Sequence, residues 1–592
     1  MRVTTTNLNF VLARLFDENT LALDTETTGL EETDRPFSFQ VATNKEEYYF
    51  DSRVIPNLWG MLEIRSFLSS DRTWILQNPK FDMRMLDSVG CPVGGRIIDL
   101  TIAARLVRND HLTYSLDAQA KRYGMAKDDK VKQYIKDNNL YSERIDQFGK
   151  AQKNPQYDQV PIELMEEYGC RDVRVTYNLY VNHYLPIIGC DTGLSSSSEL
   201  ESDLTRACYA MERRGIELDR QYTVKAMQHE SHKLKVSKAR FSVLLGAQFK
   251  NSAKYIQGLI KTQLPKTDEG NPSLDDEVLE SLLHCEDKVT KGMAEIVREI
   301  RRSDKLIGTY YKNYLNLVDS NGFIHPNMWP GGTRTGRFSY SDPNLQNLHK
   351  DKGSTAEYVV RGCFKPRSGH AFLAFDYEQM EYKVMAAYAN DQRIIKKVMA
   401  GADFHQAIAD QLGIDRDKAK TLNFACLYGS GADQIGNMLG ISSFEARTLK
   451  TKYFLGMPKV DEFIAKVINA GRTRGYVTTW SGRKLYCEPE FAYALPNHLI
   501  QGGCADIVKR AMVELHKTIP HIPMVLQIHD ELVFDAPIEY ITDKAIQTIK
   551  SIMQNAFPEK NGLRLTVDAS ISFKSLAKRD FEPITNKEFP CS

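Results

Sequence analysis

Asp376, Asp530 and Glu531 are side chains on which chemistry can be built. Asp376 closes the apolar run Ala371 to Phe375, and Asp530-Glu531 separates two apolar runs within Met524 to Pro537. A lone Asp behind a strand ordinarily caps the next helix, and acids at a hairpin tip are ordinarily solvated turn residues. Brought together by one sheet, Asp376 and Asp530 would instead supply hard oxygen ligands for two divalent ions roughly 3.5 to 4 Å apart around a reacting phosphoryl group. A second set of acids lies near the start of the chain. Asp24 and Glu26 fall on one face of a strand because strand side chains alternate, Asp82 follows in Asn78-Pro79-Lys80-Phe81-Asp82, and Tyr168 and Asp172 stand one helical turn apart.

The elements that must position these groups can be read from periodicity. Leu21 to Glu26 reads as a strand, Ala371 to Phe375 as a buried strand, and Met380, Val384, Met385 and Tyr388 repeat at helical spacing behind it. Met524 to Pro537 reads as a β-hairpin with His529 just before the acids of its turn. Between them, Asp415 caps a helix that Gly429 and Gly431 can stop, and Arg416, Lys420, Phe424 and Tyr428 run four apart along one stripe. Two cations followed by two rings suit a triphosphate and the base above it; the plain alternative is an exposed basic helix start followed by core aromatics.

Three motifs, Asp376-Tyr-x-Gln-x-Glu381, Arg416-x-x-x-Lys-x-x-x-Phe-x-x-x-Tyr-Gly429 and His529-Asp-Glu531, closely resemble those of family A DNA polymerases, in the family's order. The N-terminal set resembles that family's proofreading 3′→5′ exonuclease, of the DEDD group with Tyr as the fifth residue, over roughly residues 1 to 190, including Ile98-Asp99-Leu100 and a helical His111 to Tyr123 segment. The resemblance implies an α/β RNase-H-like exonuclease domain joined to an α+β right-hand polymerase domain: residues 1–190 exonuclease, 191–592 polymerase, with the thumb at about 199–330, the palm at about 331–390 and 496–592, and the fingers at about 391–495. Lys127 to Pro161 reads as a mobile excursion and Asp191 to Ser198, with four serines, as the linker.

The resemblance also implies roles. Asp376, Asp530 and the main chain of Tyr377 would hold two Mg²⁺ ions, with Mn²⁺ as a substitute, and Glu531 would support them. Gln379, Glu381, His405, Arg416, Lys420, Phe424 and Tyr428 would bind the incoming dNTP, Glu381 excluding a 2′-hydroxyl and Lys420 protonating the pyrophosphate. Arg337, in Gly331-Gly-Thr-Arg-Thr-Gly-Arg337, together with Asn497, Gln501 and His529, would contact primer-template DNA. That glycine-rich stretch lacks the Lys-Ser/Thr ending of a P-loop. Asp24, Glu26, Asp82 and Asp172 would hold the exonuclease metals, with Tyr168 orienting water. Arg298, Arg301, Arg302, Lys305 and Lys312 suit a thumb gripping duplex backbone. Glu378, Asp415, Ala425 and Gly503 depart from the family's usual residues.

Composition sets wide bounds. The 592 residues carry 77 Lys and Arg against 76 Asp and Glu, and ten cysteines stand without any Cys-x-x-Cys, so neither a zinc site nor a disulfide framework is indicated. No apolar run is long enough to cross a membrane. The reading is a monomeric enzyme of the cytoplasm, or of the host cytoplasm if phage-encoded, serving phage replication, with a replisome helicase, primase or single-strand-binding protein as further partners. A repair or organellar polymerase is the alternative; a single-subunit RNA polymerase, a pure repair nuclease and a nucleic-acid scaffold are the rivals.

Overall fold

The computed structural model describes residues 1–125, 130–145, 151–267, 269–349, 354–558 and 561–584. Its first layer is a mixed sheet of β1 (Thr20–Thr27), β2 (Pro36–Ala42), β3 (Glu47–Asp51), β4 (Thr73–Leu76) and β5 (Arg96–Asp99), in the order β3-β2-β1-β4-β5. β1 runs antiparallel to β2 and parallel to β4. Alternation along β1 sends Leu21 and Leu23 into one apolar core and Ala22 into another on the opposite face. Helix α1 (Pro79–Asp87) adds Met83 and Leu86 to the first core. Helix α2 (Leu100–Val107) serves the second.

The predicted helix from His111 begins only at Leu116. Ser115 caps α3 (Leu116–Arg122), while His111 precedes it in a loop whose main-chain N–H donates to the Tyr114 hydroxyl. Residues 127–129 and 146–150 of the expected mobile excursion lie outside the described residues. Its described part is α4 (Lys130–Asp137) and a hairpin of β6 (Tyr141–Ile145) and β7 (Ala151–Pro155), tied back by Arg144 on Asp34 at 2.7 Å. Helix α5 (Ile162–Asn178) then covers the Ala22 face through Val173 and Tyr177.

The expected linker is not a linker. Asp191 caps Gly193 and Leu194 and starts α6 (Thr192–Arg214), a helix of 23 residues. Its serines are small enough to lie against neighbours: Ser197 and Ser198 are buried, and Ser202 donates to the Ile97 carbonyl of β5 at 2.7 Å. Gly193 meets Gly482 so closely that a Cβ built on either glycine would fall within 2.6 Å of the other's Cα, and Gly482 also needs φ +98°. The same helix ends against the C-terminal half of the chain, so both halves share it.

A short pair, β8 (Ile216–Glu217) with β9 (Phe323–Ile324), brackets the helical region built on α7 (Arg220–Leu245) and α8 (Lys288–Lys305), whose outer part encloses its own core around Phe241, Leu279 and Val297. Two of the expected backbone-gripping cations are engaged within this region: Arg298 pairs with Glu280 at 2.7 Å, and Arg301 binds Asn251 and the Leu274 carbonyl. Next come the hairpin of β10 (Asn327–Trp329) and β11 (Ser339–Ser341), then β12 (His370–Tyr377) and α9 (Met380–Ala389). Helices α10 (Phe404–Leu412) and α11 (Arg416–Leu427) follow, then β13 (Tyr476–Thr478), β14 (Lys484–Tyr486) and the long α12 (Leu495–Thr518). The chain closes a second sheet with β15 (Met524–Ile528), β16 (Glu531–Pro537), β17 (Val567–Ser572) and β18 (Glu582–Pro583), in the order β15-β16-β12-β17-β18.

At the meeting of α6, α12 and the β13–β14 turn, four charges are buried together. Arg483 reaches Glu201 at 2.5 Å and Asp506 at 2.7 Å, and Lys509 reaches Glu201 at 2.5 Å. Burial alone would raise the Asp506 carboxyl; Arg483 and Lys509 hold it below its ordinary value.

Candidate functional site

β12 is apolar and buried from Ala371 to Phe375 and then delivers Asp376, exposed, to the lip of the second sheet. Strand register places Asp376 opposite Glu531 of β16 on one side and Asp568 of β17 on the other, so three acids form one cross-strand row. Asp530 stands beside them: the Tyr377 N–H donates to the Asp530 carbonyl at 3.4 Å, which locks the hairpin turn onto the end of β12. His529 supplies the turn's left-handed residue at φ 58°.

The walls of this cleft and the crowding of acids raise both carboxyls. Desolvation, then Asp530 and Glu531, push Asp376 up to about 7, although the residue is exposed at the lip of the sheet. Asp530 is pushed up to about 6 by desolvation and by Glu381 and Glu531. Glu531 is not part of the turn, where the hairpin reading placed it. It is the first residue of β16, buried, and paired with Lys578 and, at 3.5 Å, with Arg361. Neither cation was legible as a partner, since both lie far away in the chain without a motif. The Tyr377 phenol donates to the Met553 carbonyl at 2.6 Å, away from the acids, which leaves only its main-chain oxygen as a ligand.

A cleft of about 440 Å³ opens beside these acids, with Arg337, Glu381, Phe424, Tyr428, His529 and Asp530 on its wall. Arg337 and Glu381 form an ion pair inside it. Asp415 caps α11 through the Lys418 N–H, and the helix presents its stripe as expected: Arg416 and Lys420 exposed, Phe424 half-buried and Tyr428 40 % exposed. Phe424 and Tyr428 stand with ring centroids 5.8 Å apart, and Gln501 of α12 bonds the Tyr428 hydroxyl. Asn497 is half-buried one turn earlier on α12.

Three of the implied nucleotide contacts have other partners here. Arg416 binds Asp403, the cap of α10, at 2.6 Å. The Gln379 carboxamide oxygen accepts from the Phe404 N–H at 3.1 Å. His405 is only 6 % exposed, packs on Tyr382, and takes a hydrogen bond on Nδ1 from Asn423 at 3.0 Å, and desolvation lowers it to about 4. Glu378 accepts from Thr566 and lies 3.7 Å from Lys383, at the edge of the acid row.

In the first sheet, Asp24 and Glu26 continue the Ala22 face that α5 covers, and α5 sets Tyr168 and Asp172 one turn apart against them. Desolvation raises the Tyr168 phenol strongly, with Glu26, Asp172 and Asp24 adding to it, which is the signature of one shared pocket. Asp82 reaches the same strand tip from α1: Thr25 donates to its Oδ1 from Oγ1 at 2.5 Å and from the main-chain N–H at 3.1 Å. Burial still pushes Asp82 up to about 7.

Among the described residues, no group of three or more His, Cys, Asp or Glu side chains is arranged to hold a metal ion. The lip of the second sheet instead offers two carboxylates, Asp530 on the cleft wall and Asp376 at the end of β12, and a small, strongly hydrated ion such as Mg²⁺ is typically held by one or two carboxylates with substrate phosphates and water completing its shell. The donor set fits such an ion. The raised carboxyls of Asp376 and Asp530 fit it too, because acids crowded without a cation resist ionising.

An acid-tipped mixed sheet joined to an antiparallel sheet whose central strand carries a second acid defines the exonuclease-plus-right-hand architecture. The POL domain of Pol1 from M. smegmatis, solved in complex with DNA primer-template and dNTP, shares this fold at a TM-score of 0.81 over 98 % of this chain and 99 % of that one, at 23 % identity. The DNA polymerase family A profile matches residues 218–576 and a 3′-5′ exonuclease profile matches residues 3–182. DNA polymerase DpoZ of Salmonella phage PMBT28 is 28 % identical over 97 % of this chain and 98 % of its own length. DNA polymerase I of Borreliella burgdorferi is 27 % identical over 93 % of this chain, which spans 62 % of that relative. The chain belongs to DNA polymerase family A and carries a 3′-5′ exonuclease domain ahead of the polymerase domain.

Proposed function

We propose that the chain extends a DNA primer by template-directed transfer of deoxynucleotides in the Asp376–Asp530 cleft, and trims 3′ ends in the pocket of Asp24, Glu26, Asp82 and Asp172. The observation that carries this reading is the meeting of Asp376 and Asp530 at the lip of one sheet, beside a cleft lined by Arg337, Glu381, Phe424 and Tyr428. Mg²⁺ held there would lower the pKa of the primer 3′-hydroxyl and neutralise the leaving pyrophosphate, with Mn²⁺ as a substitute.

The chain's own residues do the rest. Asp376, Asp530 and the Tyr377 carbonyl hold the cations. Lys420 and Arg416 receive the triphosphate once Arg416 leaves Asp403, and Lys420 gives a proton to the departing pyrophosphate. Phe424 and Tyr428 form the platform for the base, and Glu381 fills the space of a 2′-hydroxyl. Arg337, Asn497, Gln501 and His529 meet the primer-template, and Tyr168 orients water at the second pocket. The corresponding domains are 1–190 and 191–592, with α6 as their shared element. Coverage of a phage polymerase at nearly full length supports a role in phage replication, by a monomer working with a replisome helicase, primase or single-strand-binding protein. Among the described residues no helix is long and apolar enough to cross a membrane, which suits the host cytoplasm.

The test is extension of a primed single-stranded template with dNTPs and Mg²⁺. Template-complementary products are expected. Purified chain that binds primer-template yet adds no nucleotide overturns the reading.

A further inference from the structure

Lys80 lies two residues before Asp82 on α1, and it faces away from the exonuclease pocket. Its side chain is 7 % exposed, and its amine crosses to the other half of the chain: it pairs with Glu212 near the end of α6, donates to the Met328 carbonyl at 2.5 Å and to Asn327 Oδ1 at 3.1 Å, and sits 5.5 Å from the centre of the Trp329 ring. Glu212 completes the clasp by accepting from the Met328 N–H at 2.5 Å. All of Lys80's acceptors belong to α6 and β10. β10 in turn pairs with β11, Trp329 opposite Ser339, two residues after the cleft's Arg337.

A buried amine needs its acceptors, and hydrogen bonds to a charged group are directional and strong. The first turn of α1 is therefore held at two points, by Thr25 on Asp82 and by a socket that the polymerase half supplies around Lys80. Resting on the assignment of Asp82 to the exonuclease pocket, we propose that Lys80 is a positioning residue for the exonuclease: the Glu212–Asn327–Met328 socket fixes α1, and thereby Asp82, so that trimming depends on a contact made by the polymerase half.

The experiment uses the full chain, comparing wild type, Lys80→Met and Lys80→Met/Glu212→Met. Three quantities are read: hydrolysis of single-stranded DNA with Mg²⁺, primer extension, and binding of Mn²⁺ followed by electron paramagnetic resonance in the Asp376→Ala background, which removes the polymerase ions. Lys80→Met should lower exonuclease kcat by about 10- to 100-fold, the scale of an ångström-sized misplacement, with KM within about twofold, and should weaken Mn²⁺ binding while extension is unchanged. It also leaves Glu212 buried without its cation and should lower the unfolding temperature; the double variant removes that charge and should restore the temperature without restoring hydrolysis or Mn²⁺ affinity. Lys80→Met with wild-type hydrolysis and Mn²⁺ binding, or a double variant that recovers both with the temperature, overturns the proposal. Wild type that does not degrade single strands at all overturns the exonuclease assignment itself.

Discussion

Glu531 and Asp376 stand directly opposite each other in the ladder of β16 and β12, yet Asp376 is exposed and Glu531 is buried. Glu531 is closed off by Lys578 and Arg361. Glu531→Gln keeps the shape and loses the charge that holds Lys578, so extension should fall by about 10- to 100-fold, as for a residue supporting a ligand. Asp376→Asn should fall further, by about 1,000-fold or more, the scale of losing direct transition-state stabilisation. Single-turnover extension at saturating dNTP checks both. Equal losses would place Glu531 among the cation's own ligands.

The Arg337–Glu381 ion pair spans the cleft where sugar and primer terminus would meet. Glu381→Ala should raise ribonucleotide incorporation by about 10- to 200-fold, because removing a packed group readmits a small substituent. Arg337→Ala should leave sugar choice nearer wild type but free the Glu381 side chain. Effects of the two should be non-additive, with a coupling of about 0.5 to 3 kcal/mol, since the residues share a contact. Competition assays with matched dNTP and NTP give the cycle.

Asp376 and Asp82 belong to different sheets' surroundings: Asp376 stands at the lip of β12 in the second sheet, and Asp82, on α1, is held by Thr25 of β1 in the first. Asp82→Ala should abolish degradation of a mismatched 3′ end and leave extension within about twofold, and Asp376→Ala should do the reverse. Gel assays of both activities on the same preparations decide this. Joint loss in either variant would contradict two separate pockets.

Asp82 is held near pH 7 in the fold, above the ordinary Asp value of 3.8. The folded carboxyl keeps a proton that the unfolded one releases, so between about pH 4 and 7 this group makes stability fall as pH rises. Without divalent ions, Asp82→Asn should therefore raise the unfolding temperature relative to wild type at about pH 8 and not at about pH 5. Thermal melts in chelator give the difference, and added Mg²⁺ should close it by stabilising the wild type alone. A difference that grows toward acid would reverse the sign and refute it.

Arg483 is the shared partner of Glu201 and Asp506 in the buried cluster between α6 and α12. Arg483→Met leaves the two acids with Lys509 alone, and breaking a buried pair costs about 3 to 5 kcal/mol. Because the cluster ties the two halves, calorimetry should show both losing stability together. A shift confined to one transition would mean that the halves melt independently.

Local patterning made the catalytic elements legible. The alternation of Leu21, Ala22, Leu23 and Asp24 names the face of β1, and Asp415 with the four-residue stripe from Arg416 names the start and orientation of α11. What stayed hidden depends on distant partners. Four serines read as a linker because their intrinsic helix preference is weak, but two of them, Ser197 and Ser198, are buried, as is Ser202 beyond them, against neighbours that no local window contains. The same holds for Lys80 with Glu212 and for Lys578 with Glu531, pairs that no spacing rule connects. His405 was legible as a motif residue, but neither its burial beside Tyr382 and Asn423 nor the lowering of its pKa by that desolvation was.

Helix α6 belongs to both halves at once, with serines against one and Glu201 locked into the other. On the proposed reading, a continuous helix at the junction would keep the two pockets at one separation, so fraying of the last few base pairs, rather than a swing of the trimming half, would carry a faulty end across.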